Sequence, residues 1–161
     1  MPKQTKTILG IDPGIADTGF GVIVKNGHDL TCLDYGTIKT KAQLSLPQRL
    51  SHLHQQLEKI ITKFKPDLIA VEELFFYKNV KTAFMVGQAR GVILLTAWQA
   101  NLKIVEFTPL QVKQAVSNYG SASKQQVQKM VKLLLKLNKL PRPDDAADAL
   151  AIAICAANSS R

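Results

Sequence analysis

The chain has 161 residues, of which 46% are hydrophobic, and a formal net charge of +9 at pH 7. This length allows one domain with a substantial core, and the N-terminus lacks the long apolar region of a secretory signal peptide. No segment approaches the roughly 18 uninterrupted apolar residues of a membrane-spanning helix. We therefore expect a single cytoplasmic domain over residues 1–161, whose excess of positive charge favours an anionic partner.

Three strands are predicted at the start of the chain. Residues 7–12 and 18–25 are apolar runs of strand length, and residues 28–38 alternate between apolar and polar side chains. Asn26 and Gly27, between the second and third of these segments, are typical of a tight hairpin turn. This spacing predicts three consecutive antiparallel strands.

Helices and two more strands are predicted in the rest of the chain. In order they are a helix over 50–64, a strand over 67–73, a helix over 80–100, a strand over 103–109, and helices over 110–116, 123–137 and 144–158. Ser123 and Gln126 have the spacing of a capping box, which predicts where one helix begins. This order of elements predicts an α/β fold, with a mixed five-stranded sheet and helices on both of its faces.

Positive charge is concentrated in two segments. Residues 101–143 contain eight lysines and arginines but one acid, Glu106, and residues 75–90 contain three basic residues and no acid. Six of the twelve acids are grouped near predicted strand ends and at the start of the last helix: Asp12, Glu72, Glu73, Asp144, Asp145 and Asp148. A basic surface with concentrated carboxylates is typical of a protein that binds phosphates and holds divalent metal among its acids.

Four of these acids are predicted to converge at one edge of the sheet. Asp12 ends the first predicted strand and Glu72 ends the fourth, and strand ends of an open sheet project into the crevice where ligands bind. Asp145 and Asp148 are three residues apart, so their carboxylates share one face of a helix. Close carboxylates repel one another, and two Mg²⁺ ions about 4 Å apart would remove the conflict. Taken singly, Asp12 also fits a turn, Glu72 a strand that returns to solvent, and Asp145 and Asp148 a helix cap.

Six sequence blocks follow one another between Ile8 and about Asn158: LGIDPG, AVEELFFYKN, GQARGV, QVKQAV, GSASKQQVQ and DAADALAIAI. In these blocks and in their order, the chain resembles the RuvC family of Holliday-junction resolvases. The resemblance implies a ribonuclease H-like fold, a homodimer, and Mg²⁺-dependent endonucleolytic cleavage of four-way DNA junctions in recombination and repair. It also implies cooperation with the RuvA and RuvB branch-migration proteins. Gly87 and Gly91, four residues apart, permit close helix packing, either in the core or at a dimer interface.

The family's site residues map onto this chain one by one. The acidic ligands of two metal ions per site, Mg²⁺ with Mn²⁺ as a substitute, fall on Asp12, Glu72, Asp145 and Asp148. The catalytic-site lysines, which neutralise charge on the scissile phosphate, fall on Lys113 and Lys124. Two extra acids, Glu73 and Asp144, lie beside matched positions, and we prefer Asp145 to Asp144 because DAADALAIAI matches in register.

DNA contacts are expected beyond the acids. Phe75 matches an aromatic residue that disturbs base stacking at the junction centre, and Phe76 is a neighbouring possibility. Either phenylalanine also fits a place in the core. The basic residues expected to contact DNA are Lys78, Lys81, Arg90, Lys113 and Lys124.

Three alternative functions compete with junction resolution. Another ribonuclease H-like nuclease, of the YqgF type, would share the sheet and the acids. An actin-like nucleotide-binding domain would use GIDPGIADTGFG as a phosphate loop, although 161 residues are few for the two lobes of such proteins. A junction-binding protein without catalysis would lack the matched acids.

Overall fold

The computed structural model describes residues 4–73 and 79–159. Its strands are β1 (Lys6–Asp12), β2 (Asp17–Asn26), β3 (Asp29–Lys39), β4 (Leu68–Glu72) and β5 (Lys103–Phe107). Its helices are α1 (Leu46–Phe64), α2 (Val80–Gln99), α3 (Pro109–Ser117), α4 (Lys124–Leu134) and α5 (Asp144–Ser159). None of the helices in these ranges is long and apolar enough to cross a membrane.

The strands form one mixed sheet in the order β3-β2-β1-β4-β5. The three N-terminal strands pair antiparallel, and the tight turn between β2 and β3 has Gly27 at a φ of 65°, a backbone conformation that glycine adopts without strain. β4 and β5 join parallel to β1 through the crossover helices α1 and α2. The predicted mixed five-stranded sheet is confirmed.

Helices cover both faces of this sheet, as predicted. Neighbouring residues of a strand point to opposite faces, so Ile8 belongs to the core under α3, α4 and α5, whereas Leu9 belongs to the core under α1 and α2. Both side chains are fully buried. The sheet is therefore the middle layer between two groups of helices.

One helix ends earlier than the sequence predicts. α4 ends at Leu134, and Lys136 follows with a φ of 53°. The backbone N–H of Leu137 bonds to the carbonyl of Lys132 and that of Lys136 to the carbonyl of Leu133, which is the hydrogen-bond pattern of a Schellman motif. A glycine usually occupies the left-handed position of this motif, so the sequence carried no signal of the helix end.

Glycines in β1 and β2 allow α5 to lie directly on the sheet. A Cβ atom on Gly10 would overlap the carbonyl oxygen of Ala149, and one on Gly19 would overlap the carbonyl oxygen of Asp145. Gly19 also pairs with Asp12 across the two strands. The absence of a side chain at Gly19 therefore fixes the first turn of α5 beside the end of β1.

Gly19→Ala is expected both to destabilise the protein and to displace the first turn of α5, which carries Asp145. Because the added methyl group must push the backbone at Asp145 away from β2, we expect a loss of about 1–3 kcal/mol in the free energy of unfolding, measured by urea denaturation. The matched control is Gly36→Ala, where the nearest atom lies 3.1 Å away on the ring of Phe20, a side chain that can shift. Equal stability of the two variants would contradict the close packing of α5 on Gly19.

Candidate active site

Two acids stand at the ends of neighbouring parallel strands. Asp12 is the last residue of β1 and Glu72 the last residue of β4, and the strands pair with Ile11 beside Val71. Parallel strands end at the same edge of the sheet, so both side chains project into one crevice, and both are half-buried. The predicted meeting of these two acids follows directly from the strand order.

The first two turns of α5 bring two more acids to the same place. One carboxylate oxygen from each of Asp12, Asp145 and Asp148 lies within 4.8 Å of the other two. Glu72 lies outside this group of three, but it lines one cavity with Asp12 and another with Asp148. The structure thus places Asp12, Asp145 and Asp148 within one ligand distance, with Glu72 beside them at the wall of the same crevice.

Burial and mutual repulsion raise the pKa values of the clustered acids. Desolvation, followed by the charges of Asp148, Glu72 and Asp145, raises the pKa of Asp12 to about 8. Desolvation and the charge of Asp148 raise the pKa of Glu72 to about 7, and burial also raises the pKa of Asp148. A group of oxygen donors that cannot all ionise without a cation fits a hard divalent metal ion.

Two lysines face the acids from the neighbouring helices. Lys113 of α3 and Lys124 of α4 line one cavity together with Glu72 and Asp148. Lys124 Nζ lies 3.4 Å from Asp148 Oδ2. Partial burial by itself would lower the pKa of Lys124, but the neighbouring carboxylates, chiefly Asp148, raise it above its usual value. Lys124 is therefore a protonated, positively charged group at the rim of the site at neutral pH.

Helix caps place these lysines. Ser123 and Gln126 form the predicted capping box at the start of α4, and Thr108 and Gln111 form another, which was not predicted, at the start of α3. Because the caps fix the first turn of each helix, they also fix the direction in which Lys124, the first residue of α4, leaves the backbone.

Asp144 differs from its neighbour Asp145. Its exposed carboxylate accepts hydrogen bonds from Arg142 Nη1 at 2.5 Å and from Gln128 Nε2 at 3.1 Å, and it lies outside the group of three acids that share a metal-ligand distance. Hydrogen bonds from Gln128 and Arg142 lower the pKa of Asp144, and the positive charges of Lys124 and Arg142 lower it further. This geometry favours Asp145 as the ligand of the pair.

The family is established by comparison with known proteins. A family model described as crossover junction endodeoxyribonuclease RuvC matches residues 8–156. The chain belongs to the RuvC family. The RuvC of Halothermothrix orenii is 59% identical over 154 residues, covering 96% of this chain and 93% of that protein. The RuvC of Caldicellulosiruptor saccharolyticus is 57% identical over 149 residues, covering 92% and 90%.

Solved RuvC structures share the fold. The Thermus thermophilus RuvC in complex with a Holliday junction substrate is 38% identical, with a TM-score of 0.88, and the match covers 93% of this chain and 92% of that one. A second Thermus thermophilus RuvC structure is 37% identical, with a TM-score of 0.87 and coverage of 94% and 93%. The predicted ribonuclease H-like fold is confirmed, and the YqgF-type and actin-like alternatives are not favoured.

The contacts of Arg90 with Glu106 and with the backbone of Glu72 were not predicted from the sequence. We predicted a DNA contact for Arg90, but its side chain is 17% exposed, forms an ion pair with Glu106 and donates from Nε to the backbone carbonyl of Glu72 at 3.2 Å. Arg90 therefore ties α2 to the ends of β4 and β5. No spacing in the sequence indicates this pair, because its members lie on a helix and a strand that only the fold brings together.

The remaining predicted DNA contacts lie near the same edge or outside the described ranges. Lys81 is exposed in the first turn of α2, and Glu73, the extra acid beside Glu72, is also exposed. Phe75, Phe76 and Lys78 lie outside the described residues. Their DNA-binding roles, like that of Arg90, stay predictions.

Proposed function

We propose that this RuvC-family protein is a structure-selective endonuclease that resolves four-way DNA junctions by paired symmetric nicks, in recombination and DNA repair. The observation that carries the proposal is the cluster of Asp12, Asp145 and Asp148, with Glu72 beside it and Lys124 in contact with it. We further propose that residues 1–161 form one nuclease domain that works in the cytoplasm.

The metal is proposed to be Mg²⁺, two ions per site, with Mn²⁺ as a substitute. Asp12, Glu72, Asp145 and Asp148 would hold them. Divalent ions bound there supply the activation of water and the neutralisation of charge that phosphodiester hydrolysis needs.

The protein's own side chains position the reaction. Asp12 shares a ligand distance with Asp145 and Asp148 and lines a cavity with Glu72, so it is the acid that would connect Glu72 with the two acids of α5 in one metal site. Lys113 and Lys124 line one cavity with Glu72 and would neutralise the charge that builds on the scissile phosphate. Water attacks phosphorus in line with the departing 3′ oxygen, so the products carry 5′-phosphate and 3′-hydroxyl ends.

The assembly is proposed to be a homodimer through α2. An apolar stripe runs along this helix, in which Val80, Phe84, Leu95 and Trp98 are 63%, 70%, 55% and 71% exposed. Gly87 and Gly91 have the same helical phase, and a Cβ atom on Gly91 would meet nothing within 4 Å. An apolar stripe of this kind suits a two-fold interface, which would place one site on each of two like strands of a junction.

Phe84→Glu is expected to give a folded monomer that no longer nicks in pairs. A charge in the stripe must lose its water in the dimer, so sedimentation at micromolar concentration should show one protomer. On a supercoiled plasmid with an extruded cruciform we expect open circles instead of linear product. Leu133→Glu is the control, since Leu133 is 68% exposed on α4, on the opposite face of the sheet. A dimeric Phe84→Glu protein would contradict this interface.

Cleavage of a synthetic junction tests the whole proposal. A labelled four-way junction and a linear duplex of matched sequence are incubated with protein in Mg²⁺ or in EDTA, and the products are separated on a denaturing gel. We expect symmetric nicks in the junction that is incubated with Mg²⁺, and no cutting of the junction in EDTA or of the linear duplex. Cutting of the duplex, or cutting in EDTA, would refute the proposed function.

Binding partners follow from the same family membership. Basic residues around the site, including Lys81, would hold the arms of the junction, so that binding weakens with salt and follows junction shape more than base edges. Family membership is also the support for proposing cooperation with RuvA and RuvB.

A further inference from the structure

Asp144 has two carboxylate oxygens with different partners. Oδ1 accepts hydrogen bonds from Arg142 Nη1 at 2.5 Å and from Gln128 Nε2 at 3.1 Å. Oδ2 faces Lys124 Nζ at 3.7 Å. Gln128 is 4% exposed, and its own carbonyl oxygen accepts from Arg142 at 3.4 Å. The orientation of the Asp144 carboxylate is therefore set by groups that do not belong to the acid cluster.

The partners of Asp144 also connect two helices. Lys124 and Gln128 are four residues apart on α4, so they lie on one face of that helix. Both contact Asp144, the first residue of α5. A single carboxylate thus joins the start of α4, which carries Lys124, to the start of α5, which carries the proposed metal ligands.

Lys124 stands between two carboxylates. Its Nζ lies 3.4 Å from Asp148 Oδ2 and 3.7 Å from Asp144 Oδ2. Asp148 is a proposed metal ligand, and a carboxylate that binds a divalent cation attracts a neighbouring ammonium group much less. A divalent cation held by Asp148 would also repel the lysine. Asp144 then becomes the carboxylate that keeps Lys124 beside the site.

We propose that Asp144 is a positioning residue, which holds Lys124 Nζ at the rim of the site while Asp148 binds metal. The ammonium group is thereby kept where it meets the scissile phosphate. The inference rests on the proposed nuclease function. The two neighbouring acids then have different roles: Asp145 is a proposed metal ligand, and Asp144 positions Lys124.

Metal response and cleavage rate separate the two acids. For Asp144→Asn we expect a single-turnover rate about ten-fold lower at saturating Mg²⁺, part of the roughly hundred-fold loss typical when a charge-stabilising donor is removed. The rise in melting temperature that Mg²⁺ causes should stay at the wild-type value. In Asp145→Asn that rise should disappear. The control is Asp29→Asn, which removes the same charge at the β2–β3 turn, at the far end of the sheet.

A double-variant comparison tests whether Asp144 acts through Lys124. In a Lys124→Ala protein the further change Asp144→Asn should lower the rate by less than two-fold, because the group it positions is gone. An equal ten-fold loss in both backgrounds would overturn the inference. So would a wild-type rate for Asp144→Asn, or the loss of its Mg²⁺-induced thermal shift, since the latter would make Asp144 a ligand.

Reactivity of Lys124 gives a measurement without DNA cleavage. In Mg²⁺ and without DNA, brief treatment with an acetylating reagent, followed by mass spectrometry, reports how firmly the ammonium group is held. We expect acetylation of Lys124 to increase several-fold in Asp144→Asn and not in Asp29→Asn, and no increase would overturn the inference. If the wild-type protein failed to cut junctions, the proposed function would fall while this measurement still decided the contact.

Discussion

Asp12→Asn is expected to abolish junction cleavage and, at the same time, to stabilise the protein in the absence of metal. Asp12 is half-buried among three other acids, and this environment raises its pKa to about 8. An amide removes the buried charge and its repulsion, so in EDTA at pH 8 the melting temperature should rise, by about 2–4 °C per kcal/mol for a chain of this size. The same change removes a metal ligand, and the cleavage rate should fall by at least roughly 10³-fold.

The two effects of Asp12→Asn are measured on one preparation. Differential scanning calorimetry in EDTA gives the stability, and single-turnover cleavage in Mg²⁺ gives the rate. Junction binding in Ca²⁺ should stay near the wild-type level, because the basic surface is unchanged. A variant that is less stable than wild type in EDTA, or that still cuts within a few-fold of the wild-type rate, would show that Asp12 is a structural acid.

Stability of the metal-free protein is expected to fall as pH rises from about 5.5 to 8. The pKa values of Asp12 and Glu72 are raised from 3.8 and 4.5 to about 8 and about 7 by burial and by the neighbouring acids. In this window the folded protein therefore binds more protons than the unfolded chain, so the stabilising protonation is lost as pH passes through the folded values. Urea denaturation in EDTA should show a loss on the order of a few kcal/mol.

Mg²⁺ is expected to offset the loss of stability at high pH. A cation among the acids replaces the protons, so the increase in stability caused by Mg²⁺ should be larger at pH 8 than at pH 6, and metal binding should release protons. Asp12→Asn is the control, because it should flatten the pH dependence in EDTA and reduce the response to Mg²⁺. Metal-free stability that stays constant or increases between pH 5.5 and 8 would contradict the crowded-acid account.

Much of the fold was predictable because its signals are local. The apolar run that ends at Asp12 and the turn at Gly27 mark β1 and the β2–β3 hairpin, since buried strands need apolar side chains and tight turns need glycine. The capping box of Ser123 and Gln126 marks the start of α4. The end of that helix was not predictable, because a lysine, Lys136, takes the left-handed position usually filled by glycine.

The candidate site was predictable to the level of its elements. An acid at the end of each of two strands, and two acids on one turn of the last helix, already indicate a shared edge, because the strand ends of an open sheet project into one crevice. Family resemblance then selected Asp145 over Asp144 by register. The pairing of Arg90 with Glu106 had no such signal, because 16 residues and a change of element separate them.

The sequence by itself determined the strands and helices, the positions of the acids at strand ends and the excess of positive charge, because each depends on residue type and short spacing. The tertiary structure alone decided which acids share a metal-ligand distance, how burial raises the pKa of Asp12, and how Asp144 contacts Lys124. These properties depend on distances of a few ångströms between side chains far apart in the chain. Such distances are set when Gly19 lets α5 pack against the sheet.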